Sequence, residues 1–158
     1  PIKIPGNLTV NNGVTLTVSG TIWVGGNIDL SNNCIIKLLP GFGALSGIIL
    51  TDGTVNVSNN CTFSGSGTSG SYIMLFSDKN APTSQVMDVS NNAVGVIYYA
   101  SNGRIHFSNN ASAKEATAYG IDMDNNSVIT YESGLANVHF SSGPSGGWDI
   151  RSWKEIAP

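Results

Sequence analysis

The segment Val55-Asn56-Val57-Ser58-Asn59-Asn60-Cys61 recurs along the chain. A recurring unit restricts a sequence to stacked architectures more severely than any other local feature. Its copies are Ile28 to Cys34, Met87 to Ala93, Ile105 to Ala111 and Ile121 to Ser127, with Leu8-Thr9-Val10-Asn11-Asn12-Gly13 as a shorter sixth. Each reads apolar, polar, apolar, then Ser or Asp, then Asn-Asn and a small residue. The alternation specifies a short strand with one buried face, and Ser-Asn-Asn specifies a turn.

Measured between first Asn residues, at 11, 32, 59, 91, 109 and 125, the steps are 21, 27, 32, 18 and 16 residues. The short steps match one turn of a three-sided parallel β-helix, and the long steps are the same turn with a loop inserted. The expected fold is therefore all-β: a parallel β-helix of about six to seven rungs, each adding about 4.8 Å. Parallel crossovers are nearly always right-handed, so the coil is expected to be right-handed too. The chain reads as one domain, 1–158, with repeats over 1–140 and a C-terminal cap over 141–158.

Stacked in register, every repeat position becomes a column. The columns Leu30, Val57, Val89, Phe107, Met123 and Ile28, Val55, Met87, Ile105, Ile121 are expected to face inward as the core. The pairs Asn32-Asn33, Asn59-Asn60, Asn91-Asn92, Asn109-Asn110 and Asn125-Asn126 are architectural. One Asn column is expected to turn inward or into the corner as an amide ladder, the other to take the left-handed conformation that Asn tolerates. Cys34 and Cys61 follow Asn-Asn in consecutive rungs, and a stacking distance of about 4.8 Å lies within the Cα range a disulfide spans. Gly13, Ala93, Ala111 and Ser127 fall in the same column, so a reduced, buried pair is the alternative reading.

The N-terminal strands 8–10, 14–18 and 21–24 alternate cleanly between glycine corners. Residues 38–47 read as an insertion, 64–71 as a Gly/Ser loop and 77–85 as a surface excursion. The unbroken apolar run Tyr72 to Phe76 is expected to be buried, with Val94 to Tyr99 stacked beside it. Residues 113–118 have some helical propensity but little room for a helix, and read as turn and strand. Trp148, Trp153 and Ile156 break the repeat and are expected to cap the last rung.

Charged residues make up only 11% of the chain, against about a quarter in an ordinary domain, and the net charge is −3 with seven basic residues, none clustered. Nucleic acid and an anionic membrane are not expected partners. No stretch reaches the length of a membrane span. The chain opens on Pro1-Ile2-Lys3-Ile4-Pro5 without a secretory leader, as a mature or trimmed product would. Five Asn-X-Ser/Thr triplets begin at Asn7, Asn56, Asn60, Asn110 and Asn125. A repeat rich in these residues generates the pattern freely; Asn7 and Asn56 are the glycosylation candidates.

Chemistry has few handholds. The two histidines, His106 and His139, have no nucleophile set against them in the sequence, and no Cys/His metal spacing occurs. Gly65-Ser66-Gly67-Thr68-Ser69-Gly70 has dinucleotide-fingerprint spacing but precedes a strand instead of a helix. The one constellation is the outward column Thr9, Asp29, Asn56, Asp88, His106, Asp122. On a regular stack Asp29 and Asp88, like Asp88 and Asp122, stand two rungs apart, about 9.6 Å. An inverting glycosidase keeps its carboxyl groups roughly 6.5–9.5 Å apart. Asp29, Asp88 and Asp122 are also candidate oxygen ligands for Ca²⁺, the single cofactor worth naming. Solvent-facing polar residues need neither explanation, and no catalytic residue is assigned.

The Ser-Asn-Asn repeats, the strand Gly70-Ser71-Tyr72-Ile73-Met74-Leu75, the segment Tyr131-Glu132-Ser133-Gly134-Leu135-Ala136-Asn137, and the ending from Ser142-Gly143-Pro144-Ser145-Gly146-Gly147-Trp148 to Trp153-Lys154-Glu155 together resemble the ectodomain of bacterial pilus-assembly proteins of the PilX type. The resemblance covers most of the chain. It implies an outer domain preceded, upstream of Pro1, by a pilin-like membrane-inserting helix. The rung length also resembles bactofilins, β-helix proteins that polymerise end to end. A non-catalytic extracellular or cell-surface structural or adhesive domain is the expected function, pilus-associated or filament-forming. Its partners would be copies of itself, pilus components or surface glycans, with no membrane contact by this fragment. A carbohydrate-active or carbohydrate-binding β-helix using the Asp column is the alternative.

Overall fold

The computed structural model describes residues 1–95, 97–132, 135 and 138–140. They form an all-β structure of parallel strands, with a short 3-10 turn at Pro40–Phe42. In chain order the strands are β1 (Ile2–Ile4), β2 (Leu8–Val10), β3 (Thr15–Val18), β4 (Ile22–Val24), β5 (Ile28–Leu30), β6 (Ile35–Leu38), β7 (Gly47–Thr51) and β8 (Val55–Val57). There follow β9 (Thr62–Ser64), β10 (Ile73–Ser77), β11 (Ala81–Val89), β12 (Ile97–Phe107), β13 (Ser112–Ala113), β14 (Glu115–Met123) and β15 (Val128–Ile129).

Pairing runs between strands one circuit apart. One stack is β1-β4-β7-β10-β12-β14, a second is β2-β5-β8-β11-β12-β14, and a third begins β3-β6-β9 and continues through single bridges at Val94 to β13 and β15. Strand β12 is long enough to serve the first two stacks, pairing β10 with its first residues and β11 with its last. This is a parallel solenoid, in which the chain climbs by one strand spacing per circuit.

The pleat explains the core. Ile28, Val55, Met87 and Ile105 form one inward column and Leu30, Val57, Val89 and Phe107 the next, each at most 2% exposed. Burying one such side chain fully stabilises by about 1.5–3 kcal/mol. The first stack adds Ile22, Ile49, Leu75 and Tyr98. Tyr98 fills the space beside Gly95, where an added Cβ would lie 1.9 Å from the phenol oxygen, and its ring meets Phe107 edge-on at 5.5 Å. Both columns open out at their last member: Ile121 is 39% and Met123 46% exposed. They belong to the inward columns by register but have no strand stacked above them among the described residues, so the expectation that they are core does not hold.

The Asn pairs are corner turns. In Asn59-Asn60, Asn91-Asn92, Asn109-Asn110 and the others both residues have positive φ, 46–63°. The amide of the next residue donates back to the residue before the pair, as in Ala93 N–H to Ser90 O at 3.2 Å and Ala111 N–H to Ser108 O at 3.1 Å. Two successive positive φ values are what a type I′ turn demands, and Asn tolerates them better than other side chains do. The expectation that only one Asn of each pair is left-handed is corrected: both are. Neither column turns inward, since all ten of these side chains are exposed.

The shorter N-terminal copy is shifted by one residue from its apparent alignment. Val10 pairs with Leu30, Gly13 N–H donates to Asn32 O, and Val14 N–H closes the turn onto Asn11 O at 3.1 Å. Asn11 therefore occupies the Ser position, Asn12-Gly13 is the turn pair with φ of 54° and 75°, and Val14, not Gly13, stands below Cys34. The excursion expected over 77–85 is also shorter than read, because β11 begins at Ala81 and carries its extra residues as register irregularities against β12. Residues 113–118 are turn and strand, and β10 lies beside β12, as the apolar patterning implied.

Candidate functional site: the outward polar columns

The second stack brings Thr9, Asp29, Asn56, Asp88, His106 and Asp122 into one outward column, in register from strand to strand. Their contacts divide the column into closed groups. Asn56 Nδ2 donates to Asp29 Oδ1 at 3.0 Å. His106 lies between Asp88, whose Oδ1 is 2.8 Å from Nδ1, and Asp124, whose Oδ2 is 3.1 Å from Nε2. Arg104, two residues before His106, holds Asp122 with both ends of its fork, Nε to Oδ2 at 3.0 Å and Nη2 to Oδ1 at 2.6 Å. Gly120 makes room for that fork, since a Cβ there would meet Arg104 Nη1 at 2.5 Å.

The electrostatics follow. Hydrogen bonds that the ring donates to the carboxylates, Asp124 foremost and then Asp88, hold the His106 pKa above the ordinary imidazole value, against the opposing effect of its partial burial. The Arg104 guanidinium holds the Asp122 carboxyl below the usual carboxylate range. In the glycosidase reading a water and a sugar would occupy the gap between carboxyls two rungs apart. Here Asn56 fills the interval between Asp29 and Asp88, and His106 the interval above Asp88. The same pairing takes Asp29, Asp88 and Asp122 away from one another as cation ligands, and no group of three or more His, Cys, Asp or Glu side chains among the described residues is arranged to hold a metal.

Beside this column runs the amide ladder. Asn59 Nδ2 donates to Asn32 Oδ1 at 3.0 Å, Asn91 to Asn59 at 3.1 Å, Asn109 to Asn91 at 3.2 Å and Asn125 to Asn109 at 3.0 Å. In the second Asn column, Asn60 donates to Asn33 at 3.2 Å. The ladder is on the surface instead of inside because the I′ turn directs both side chains away from the core. Its backbone partners continue the stacking, with Asn33 N–H to Asn59 O, Asn60 to Asn91, Asn92 to Asn109 and Asn110 to Asn125, all 2.8–3.0 Å. Cys34 and Cys61, fully buried, are joined by a disulfide with Cα atoms 4.7 Å apart. Of the glycosylation candidates, Asn7 is exposed and its Oδ1 accepts from Asn27 N–H at 2.8 Å, while Asn56 is half-buried against Asp29.

Two groupings escaped the sequence reading. The first is an outward stripe on the first stack, Lys3, Trp23, Leu50, Phe76 and Tyr99 in register. Lys3 Nζ lies 4.3 Å from the Trp23 ring centroid, Trp23 Nε1 donates to Asp52 at 3.0 Å, and Phe76 meets Tyr99 edge-on at 5.1 Å. Its signal was available: in Tyr72 to Phe76 and Ile97 to Tyr99 the apolar residues do not alternate, so both faces of the sheet are apolar there. The second joins residues far apart in sequence. Glu132 accepts from Lys114 Nζ at 2.6 Å and from Tyr72 Oη at 3.0 Å, and Lys114 first, then Tyr72, holds its pKa low. No local pattern predicts a 60-residue contact.

The described cavity is a shallow one of about 290 Å³, lined by Ser19, Gly20, Leu39, Gly41, Phe42 and Leu45, none of them ionisable. Trp148, Trp153 and Ile156, and with them the expected cap, lie outside the described residues, as do Ser133, Gly134, Ala136 and Asn137 of the segment that carried the resemblance. No helix among the described residues is long and apolar enough to cross a membrane. No family model matches the chain, and no curated protein or solved structure is significantly similar to it.

Proposed function

We propose that the chain is a right-handed parallel β-helix of about six turns that works as a non-catalytic structural or adhesive domain at the bacterial cell surface, pilus-associated or filament-forming. The observation that carries this reading is the state of the outward polar groups. Asp29, Asp88, Asp122, Asp124, Arg104 and His106 are bonded to neighbours on the scaffold, and the exposed Asn column bonds along its own length. Groups used this way stiffen and solvate a rod; a reacting site would leave some of them converging on open space. The right hand rests on the strong bias of parallel crossovers, and the turn count on the six-member stacks. A disulfide between adjacent turns suits an oxidising compartment, in line with the surface location and the PilX-type resemblance.

The filament form has its own support. At one end β1 to β3 have no partner on one side among the described residues, with Ile2 49% and Val14 53% exposed; at the other Met123 and Val128 are 46% and 51% exposed. Unpaired strand edges are templates for another copy, and a head-to-tail contact repeats without closing. Sedimentation velocity over a hundredfold concentration range, with negative-stain electron microscopy of the same samples, tests it. Fibres of one molecule's width support the filament; a monomer throughout leaves the isolated surface domain. Glycan binding is a second reading, favoured by the outward Trp23, Phe76 and Tyr99 rings, since sugar faces stack on aromatic side chains. Trp23→Ala abolishing retention on a polysaccharide column, with an unchanged circular dichroism spectrum, would establish it.

A further inference from the structure

We propose that His106 is a pH-operated clasp, which as an imidazolium fastens β14 to the body of the solenoid and on losing its proton lets that last paired strand open. The argument starts from donor counting. An ionised carboxylate only accepts hydrogen bonds, whereas a neutral imidazole offers one N–H and one lone pair. His106 presents Nδ1 to Asp88 and Nε2 to Asp124 at 2.8 and 3.1 Å, so both ring nitrogens must donate. Neutralising the ring turns one of these contacts into a lone pair facing a carboxylate. The remaining proton stays on Nδ1, which makes the shorter contact to Asp88 on β11, so the bond lost is the one to Asp124, which follows β14, and the side-chain link between β12 and the β14 circuit is cut.

The position makes this consequential. Among the described residues β14 is the last strand of both stacks in which it takes part, and Ile121 and Met123 at its end are exposed, so side-chain packing holds it less firmly than β8 or β11. The charged groups around the ring are few. From β11 comes Asp88; from β14 and the turn after it come Asp122 and Asp124; from β12 itself comes Arg104, which is engaged with Asp122. Next below Asp88, β8 offers the neutral Asn56. The Arg104–Asp122 pair keeps its charges throughout the range in which the imidazole titrates, so the change belongs to His106.

The carboxylates raise the imidazole pKa above its value of about 6.5 in an unfolded chain. The sign follows: the clasp is fully made below about pH 6.5 and is lost as pH rises through the higher, folded-state value. For each unit of elevation the open population of β14 grows about tenfold across that rise. Opening bares the edge of β12, 11 residues long, and turns mild alkalinity into a signal for pairing with another strand.

The test combines nitrogen-15 NMR of the imidazole with amide hydrogen exchange, corrected for intrinsic rates, between pH 5.5 and 9. The expected result is two protonated ring nitrogens at pH 6, a titration midpoint above 6.5, and protection in β14 that falls with pH relative to β5 and β8. Asp124→Asn lets a neutral ring accept a hydrogen bond from the amide while donating to Asp88, and should flatten the β14 profile while retaining protection at high pH. His106→Gln should flatten it at the lower level. A single neutral tautomer at pH 6, or a β14 profile in His106→Gln that still falls as in the parent, overturns the proposal.

Discussion

Replacing Cys34 and Cys61 together by alanine isolates what the cross-link contributes, because Ala93 and Ala111 occupy the same column and are fully buried. Alanine therefore fits the site, and the loss is chiefly that of the covalent constraint. The bridge closes a sequence separation of 27 residues. With the chain-entropy relation, a loop of that length corresponds to about 3.5 kcal/mol at 25 °C. In urea, at a slope of about 2 kcal/mol per molar, the midpoint should fall by about 1.7 M. Equilibrium unfolding followed by far-ultraviolet circular dichroism measures it, with reduced parent protein as a second sample. Reduced parent and double variant should coincide. Two free thiols by mass spectrometry after alkylation of protein made in an oxidising medium would refute the reasoning at its first step. Oxidised parent and double variant unfolding at the same urea concentration would refute it at the second.

Val57→Asp places an unpaired charge between Leu30 and Val89, all three fully buried, and should abolish folding, whereas Asn56→Ala one residue away, which loses only the exposed bond to Asp29, should shift the thermal midpoint by no more than a few degrees. Tyr98→Phe should raise stability by about 1 kcal/mol in urea titration, because its buried hydroxyl has no hydrogen-bond partner among the described residues and removing it removes a desolvated polar group. Asn59→Gly keeps the φ of 54° and loses only the ladder bonds to Asn32 and Asn91, while Asn59→Ala loses both, so Ala should be the less stable by about 1 kcal/mol.

What was legible in the sequence was whatever depends on period. The two-residue alternation of Val55, Asn56 and Val57 reports the pleat directly, and equal spacing from the Asn pair put Cys61 above Cys34. Register at the N-terminus was misread because Asn11-Asn12 imitates the turn pair; the copy lacks its Ser, and only the backbone bond from Val14 to Asn11 reveals that Asn11 stands in for it. The direction of the Asn side chains was not legible either. It depends on the turn type, and two positive φ values are a conformational fact that residue names permit without requiring. Of the outward column, membership was readable but bonding was not. Arg104 and Asp124 lie outside the repeated polar position, one before it and one in the Ser position, and they engage Asp122 and His106. The Glu132, Lys114 and Tyr72 contact spans loops whose paths no local pattern specifies.

The stacking of the Asn turns into parallel circuits is the claim on which the columns, the clasp and the proposed role all rest. Scalar couplings transmitted through hydrogen bonds test it most directly, because each one names its donor and acceptor. In uniformly labelled protein, the amide nitrogens of Asn33, Asn60, Asn92 and Asn110 should couple to the carbonyl carbons of Asn59, Asn91, Asn109 and Asn125 respectively. That set predicts a ladder in which each turn bonds to the next along the chain. Couplings that instead join neighbouring strands in antiparallel order, or that link the turns out of this sequence, would contradict it.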